Sequence, residues 1–276
     1  MNIPLLIASC VQIIVESIPC SSSGHVALTF LFAKQTTEFS ELYNGLLHIP
    51  TLMSIAIVFW AAWTPAIREL IRFINHGFKT RKITKESTVP LHPYLYLAGC
   101  LILSNLITIF FEPIKGWYTK TPFTLHEILL GGLCITALLL FSLYTQKPKN
   151  EPITFKTAAI IGFAQGIAFI LPGVSRLAVT FVTARWLGAS NKKSLHYSIL
   201  LLTSLICAVI LRAIIKHEVL TRTELLTLHH NWFIILGASI IGGVSLYLTK
   251  TLAFNNRAQW FGWYLLIPIS LLLYLR

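Results

Sequence analysis

The chain has 276 residues, of which 55% are hydrophobic and 12% charged, and its mean hydropathy is +0.71. These values exclude a soluble domain and describe an integral membrane protein. The formal charge of +12 does not indicate nucleic acid, because the bases fall mostly in loops and no basic helix is interleaved with aromatics; contact with anionic lipid head groups accounts for it.

Residues 2–33 form an apolar region interrupted by Pro19, Ser21, Ser22, Ser23 and Gly24, which predicts two short helices meeting at a turn. A cleaved signal peptide is not expected there: no basic stretch precedes the apolar run, and cleavage near Ala27 would remove Gln12, Glu16 and His25. Spans are predicted at 43–64, 94–112 and 124–145, then a second broken region at 156–188 around Pro172 and Gly173, then spans at 195–216, 231–252 and 259–275. Runs approaching ~20 apolar residues suit helices rather than a barrel of alternating strands.

Each half is therefore a broken hairpin, entering and leaving on one side of the membrane, followed by three spans. Three is odd, so the second half is inserted upside down. The predicted fold is an all-α integral membrane protein with an inverted-topology repeat, a single membrane domain with repeat one at 1–145 and repeat two at 146–276. The register agrees: Gln12 precedes Pro19 by seven residues and Gln165 precedes Pro172 by seven, while Ser22 and Ser175 each follow their proline by three. Irregular backbone at depth must line protein or a cavity, so the two breaks are expected to build one polar site near the midplane.

Fourteen bases are assigned to one side (Arg68, Arg72, Lys79, Arg81, Lys82, Lys85, Lys147, Lys149, Lys156, Arg185, Lys192, Lys193, Lys250, Arg257) and seven to the other (Lys34, Lys115, Lys120, Arg212, Lys216, Arg222, Arg276). The richer side is expected in the cytoplasm, which brings the first hairpin in from the outer face.

The ten acidic residues are all glutamates. Aspartate-rich diphosphate motifs and aspartyl-phosphate chemistry are thereby excluded, and neither GxxxxGKS/T nor HExxH occurs. Five scattered cysteines form no disulfide framework and read as packing residues, Cys20 included. What remains is hydroxyl, imidazole, carboxylate and guanidinium, a set suited to an oxyanion: Arg176 for bidentate phosphate binding, and the backbone at Gly24 and Gly173 for donors. Glu16 in lipid is costly and therefore expected to be functional. Ser21 and Ser23 are equally well read as helix caps. His48 is read equally as a buried histidine or as a group approaching the site.

At these residues the chain resembles the undecaprenyl-diphosphate phosphatase family associated with bacitracin resistance. Gln12 to His25, QIIVESIPCSSSGH, is similar to E/Q-GxTEFLPxSSSGH, and Pro172 to Thr180, PGVSRLAVT, is similar to PGxSRSGxT; LLHIPTLMSIAIVFW from Leu46 continues the likeness to an HLGTLLA segment. Ile13, Val15, Ser17, Ile18, Leu177 and Ala178 depart from those patterns. The resemblance implies hydrolysis of undecaprenyl diphosphate at the outer face of the bacterial cytoplasmic membrane, recycling the cell-wall lipid carrier. It implies Glu16, Ser22, His25 and Arg176 as catalytic residues, with Ser22 the favoured nucleophile and His25 its alternative. Gln12, Ser23, Gly173, Ser175 and Thr180 would bind substrate. It further implies a divalent cation, magnesium or calcium, on Glu16, and the partners are the polyprenyl diphosphate lipid, membrane lipids and a second copy in a homodimer. Type-2 phosphatidic-acid phosphatases need a His five residues beyond the Ser-Arg pair and a later Asp, and neither is present. The competing expectation is a polyprenyl-phosphate flippase without hydrolysis.

Overall fold

The computed structural model describes residues 2–34, 39–80, 89–147 and 149–274, and within them every regular element is helical. Arg81, Lys82, Lys85, Arg276 and the Lys79 side chain, used above to assign sides, lie outside what is described. Helices satisfy their own backbone, which lipid requires.

Helix α1 (Ile3–Val15) starts on Asn2, whose side chain accepts from the Leu5 N–H. It stops ahead of Pro19, which cannot continue the ladder. Helix α2 (Ser22–Phe32) is capped by Ser21, held at φ 64 with its hydroxyl accepting from the Gly24 N–H. Then come α3 (Glu41–Leu47), α4 (Ile49–Val58), α5 (Trp60–Thr80), α6 (His92–Ile109) and α7 (Leu125–Phe141). The second half holds α8 (Phe155–Ile170), α9 (Arg176–Trp186), α10 (Asn191–Ile215), the short α11 (Arg222–His230), α12 (Trp232–Phe254) and α13 (Trp260–Tyr274).

Among the described residues five segments are long and apolar enough to cross a membrane: Glu41–Val58, Val89–Ile114, Leu125–Tyr144, Asn191–Ile215 and Trp232–Phe254. The expected sixth, α13, has 15 residues and falls short of that length. The span expected at 43–64 ends at Val58, and the stretch from Pro65 expected as a basic loop is helical to Thr80. Pro65 is tolerated inside α5 because the Thr64 hydroxyl donates to the Ala61 carbonyl, the group that a residue 65 N–H would otherwise have served.

Packing crosses between the halves. Helix α1 lies against α2 and α12, α8 lies against α9 and α6, and α7 lies against α13. Each broken helix pair thus leans on a helix of the opposite half. The second break packs on α7 through glycines: a Cβ on Gly132 of α7 would stand 2.1 Å from the Pro172 carbonyl oxygen, and Gly173 at φ +86 abuts the Leu129 carbonyl; it meets the first break at Gly24, where a Cβ would stand 3.2 Å from the Gly173 Cα. Large apolar side chains face outward, Phe110 at 81% and Ile57 at 74% exposure. That is the expected surface for a protein solvated by lipid tails.

Candidate active site

The turn between α1 and α2 and the turn between α8 and α9 line one small pocket, shared by Glu16, Ser21, Ser22, Ser23, Ser175 and Arg176. At its centre is the buried carboxylate of Glu16. One of its oxygens, Oε2, accepts from the Ser22 hydroxyl and, at 3.0 Å, from the Gln12 amide. The other, Oε1, lies 3.8 Å from Arg176 Nη2 and 3.9 Å from His48 Nδ1. Arg176 had no sequence-near acid; its partner comes from the other half of the chain.

Gln12 also fixes His48. Its Nε2 is 3.4 Å from His48 Nε2, and because an amide nitrogen can only donate, that ring nitrogen accepts and Nδ1 carries the proton toward Glu16. His48 Nδ1 has no hydrogen-bond partner and the side chain is 3% exposed. The imidazole therefore backs the carboxylate from behind while Ser22 meets it from the front.

His25 occupies a different position. Its Nδ1 is 2.8 Å from the Ser21 carbonyl and its Nε2 3.1 Å from the Tyr264 hydroxyl, so the hydroxyl of Ser22 reaches Glu16 and the imidazole of His25 engages α13. Ser23 is exposed in the pocket, 3.4 Å from the Ser21 hydroxyl.

The remaining expected residues are nearer the scaffold. The Ser175 hydroxyl caps α9 by accepting from the Ala178 N–H, and its own N–H donates to Thr136. Thr136 also donates to the Gly173 carbonyl. Thr180 returns its hydroxyl to the Arg176 carbonyl at 2.9 Å, away from the pocket lining. Gln165, the register mate of Gln12, donates to Thr108 at 3.1 Å and to Asn105 at 3.4 Å in a neutral amide and hydroxyl cluster. Leu177, at a position where the family pattern has a small residue, lines the pocket beside Arg176.

The donor set does not fit a magnesium or calcium ion held by protein. Hard cations ask for several oxygen ligands, usually more than one of them anionic. Glu16 is the one carboxylate lining the pocket, one of its oxygens is taken by Ser22 and Gln12, and the other faces a guanidinium. Among the described residues no group of three or more His, Cys, Asp or Glu side chains converges.

Sequence reasoning passed over Tyr264, and it left His48 undecided. Only the apolar-run start at His48 carried a signal; nothing local marks Tyr264, which reaches the site across 239 residues of chain.

Comparison with known proteins bears on the whole length. Residues 5–270 match the family described as Bacitracin resistance protein BacA. A protein of Treponema denticola named undecaprenyl-diphosphatase is 28% identical over 96% of this chain and 94% of its own. Proteins of the same name from Borrelia recurrentis, 29% identical over 98% and 97%, and from Korarchaeum cryptofilum, 28% identical over 95% and 94%, are similar along their full extent.

Proposed function

We infer the reaction from kinship and site together: this chain belongs to the bacitracin resistance protein BacA family, and it is a membrane phosphatase that converts undecaprenyl diphosphate to undecaprenyl phosphate and inorganic phosphate, recycling the lipid carrier. The observation that carries the chemistry is the hydrogen bond from the Ser22 hydroxyl to the Glu16 carboxylate, with Arg176 3.8 Å from the opposite carboxylate oxygen.

In this scheme Ser22 Oγ attacks the terminal phosphorus, its proton passes to Glu16, and the anhydride P–O bond breaks to release undecaprenyl phosphate. Water then attacks the phosphoserine and gives its proton to the His25 imidazole, the Oγ–P bond breaks as Glu16 returns its proton to Ser22 Oγ, and phosphate and the Ser22 hydroxyl are freed. Arg176 exchanges its contact with Glu16 for the phosphoryl oxygens, where a planar fork is worth most. Gln12 and His48 hold the carboxylate in line. No step runs through a metal ion, in keeping with the donor set. The whole cluster comes from one chain, so a homodimer is not needed for the chemistry.

We further propose that the two helix pairs are re-entrant hairpins of an inverted repeat. The crossed packing of α1 on α12 and α8 on α6 is what a pseudo-twofold axis would produce. The charge distribution orients the site to the outer face of the cytoplasmic membrane. A thiol introduced by Thr80→Cys should react with an impermeant reagent only after lysis; labelling in intact cells overturns that orientation.

The decisive experiment is phosphate release from polyprenyl diphosphate by the purified protein, with and without magnesium or calcium. Release that Glu16→Ala, His25→Ala and Arg176→Ala each abolish supports the assignment, and wild-type turnover in all three sinks it. No release, together with movement of labelled polyprenyl phosphate across vesicles, would instead establish a flippase.

A further inference from the structure

We propose that Tyr264 of α13 is a positioning residue for His25, fixing its tautomer and presenting Nε2 as the proton-accepting nitrogen. Both ring nitrogens of His25 are committed. Nδ1 lies 2.8 Å from the Ser21 carbonyl oxygen, a pure acceptor, so Nδ1 bears the hydrogen. Nε2 then carries the lone pair, and the Tyr264 hydroxyl at 3.1 Å donates to it. The two rings lie within 7° of parallel with centroids 5.7 Å apart, so the phenol restrains the plane of the imidazole as well as its proton.

The other side of the clamp is equally fixed. Ser21 is a non-glycine residue at φ 64, and its carbonyl accepts from the His25 backbone N–H at 3.1 Å as well as from Nδ1. The left-handed turn that caps α2 therefore also aims the carbonyl that accepts the Nδ1 proton, and Tyr264 favours the same tautomer from the other nitrogen. As in a hydrolytic triad, an acceptor holds the proton on Nδ1 so that the Nε2 lone pair faces an O–H donor, here the Tyr264 hydroxyl, through which a proton reaches Nε2. Tyr264 stands where the proton donor to Nε2 must stand. It belongs to the second half of the chain, so that half supplies a partner to each of the first hairpin's proton-handling groups: Arg176 to Glu16 and Tyr264 to His25.

The kinetic part of this inference rests on the phosphatase assignment; the tautomer part does not. Tyr264→Phe keeps the ring and removes the hydroxyl. We expect ¹⁵N spectra of the purified full chain in nanodiscs, with His25 assigned by difference from His25→Gln, to show the Nδ1-protonated form in the parent and a mixture with the Nε2-protonated form in Tyr264→Phe. Unchanged His25 shifts in Tyr264→Phe overturn the proposal. In the phosphate-release assay, Tyr264→Phe should lower kcat about tenfold or more with KM unchanged, the pattern of a lost transition-state contribution. A tautomer change with full kcat overturns the positioning role. A parent enzyme that releases no phosphate defeats the functional assignment and leaves the spectroscopic test standing.

Discussion

The two proline breaks share a register and diverge in how each spends its serine. In the second, Ser175 follows Pro172 by three residues and uses its hydroxyl to cap α9. In the first, Ser22 holds the same register, but α2 starts one residue sooner after its proline and the cap passes to Ser21 at φ 64. Ser22 is thereby released, and its hydroxyl goes to Glu16. The glutamines diverge in parallel: Gln12 donates to a carboxylate, Gln165 to the neutral groups of Thr108 and Asn105. In the proposed reaction one break supplies a nucleophile with its base, and the other is a scaffold that contributes a single cation. A shift of one residue in a helix cap is enough to separate the two outcomes.

The contrast is most exposed to paired substitution. Ser22→Ala is expected to lower phosphate release by about 10⁴-fold or more, the scale of removing the attacking nucleophile, whereas Ser175→Ala should keep turnover and cost about 1 kcal/mol of stability as a lost cap. Equal kinetic losses in the two variants would erase the distinction. Arg176→Lys keeps the charge but not the fork and should raise KM about tenfold or more; an unchanged KM would remove Arg176 from phosphate binding. Gly132→Ala places a Cβ 2.1 Å from the Pro172 oxygen and should cost about 1–3 kcal/mol by overpacking, read as a lower thermal midpoint, with the second break displaced and activity falling alongside.

The smallest effect lies at the periphery, where Glu224 of the second half accepts from the Ser40 N–H of the first at 2.9 Å. Burial pushes this carboxyl up, but the hydrogen bonds from Ser40 and Thr221 outweigh it and the net pKa is lowered. A lowered carboxyl stabilises the fold above its unfolded pKa and loses that contribution as pH falls through the folded value. Parent and Glu224→Gln should therefore differ in thermal midpoint at neutral pH and converge in acid. A gap that persists in acid would show that the carboxylate charge is not what ties the halves together there.

Much of this was legible in the chain. The Pro, Gly and Ser interruptions in two apolar runs located both helix pairs, the cost of Glu16 in lipid marked it as functional, Arg176 stood out as a base between apolar segments, and the family resemblance added Ser22. What was not legible depended on packing at a distance. The Arg176 to Glu16 pair and the His25 to Tyr264 bond join segments with no local pattern between them, and Tyr264 in an apolar run is indistinguishable from an interfacial aromatic. Helix α5 was missed because Pro65 and a run of bases resemble a loop, while the Thr64 hydroxyl that makes the proline tolerable is a tertiary detail. Helix α13 is described over Trp260–Tyr274, 15 residues of the stretch expected at 259–275.

The meeting of Glu16 with Arg176 has a consequence for the time during which the chain is being made. In the proposed reaction the nucleophile and its base lie in the first helix pair, whereas the guanidinium that would receive the phosphate follows about 150 residues later, on α9, and the Tyr264 hydroxyl later still, on α13. A chain lacking the second half would therefore hold Ser22 and Glu16 without the phosphate-binding group, and hydrolysis would wait for the last helices to dock. Assembly is its own safety catch.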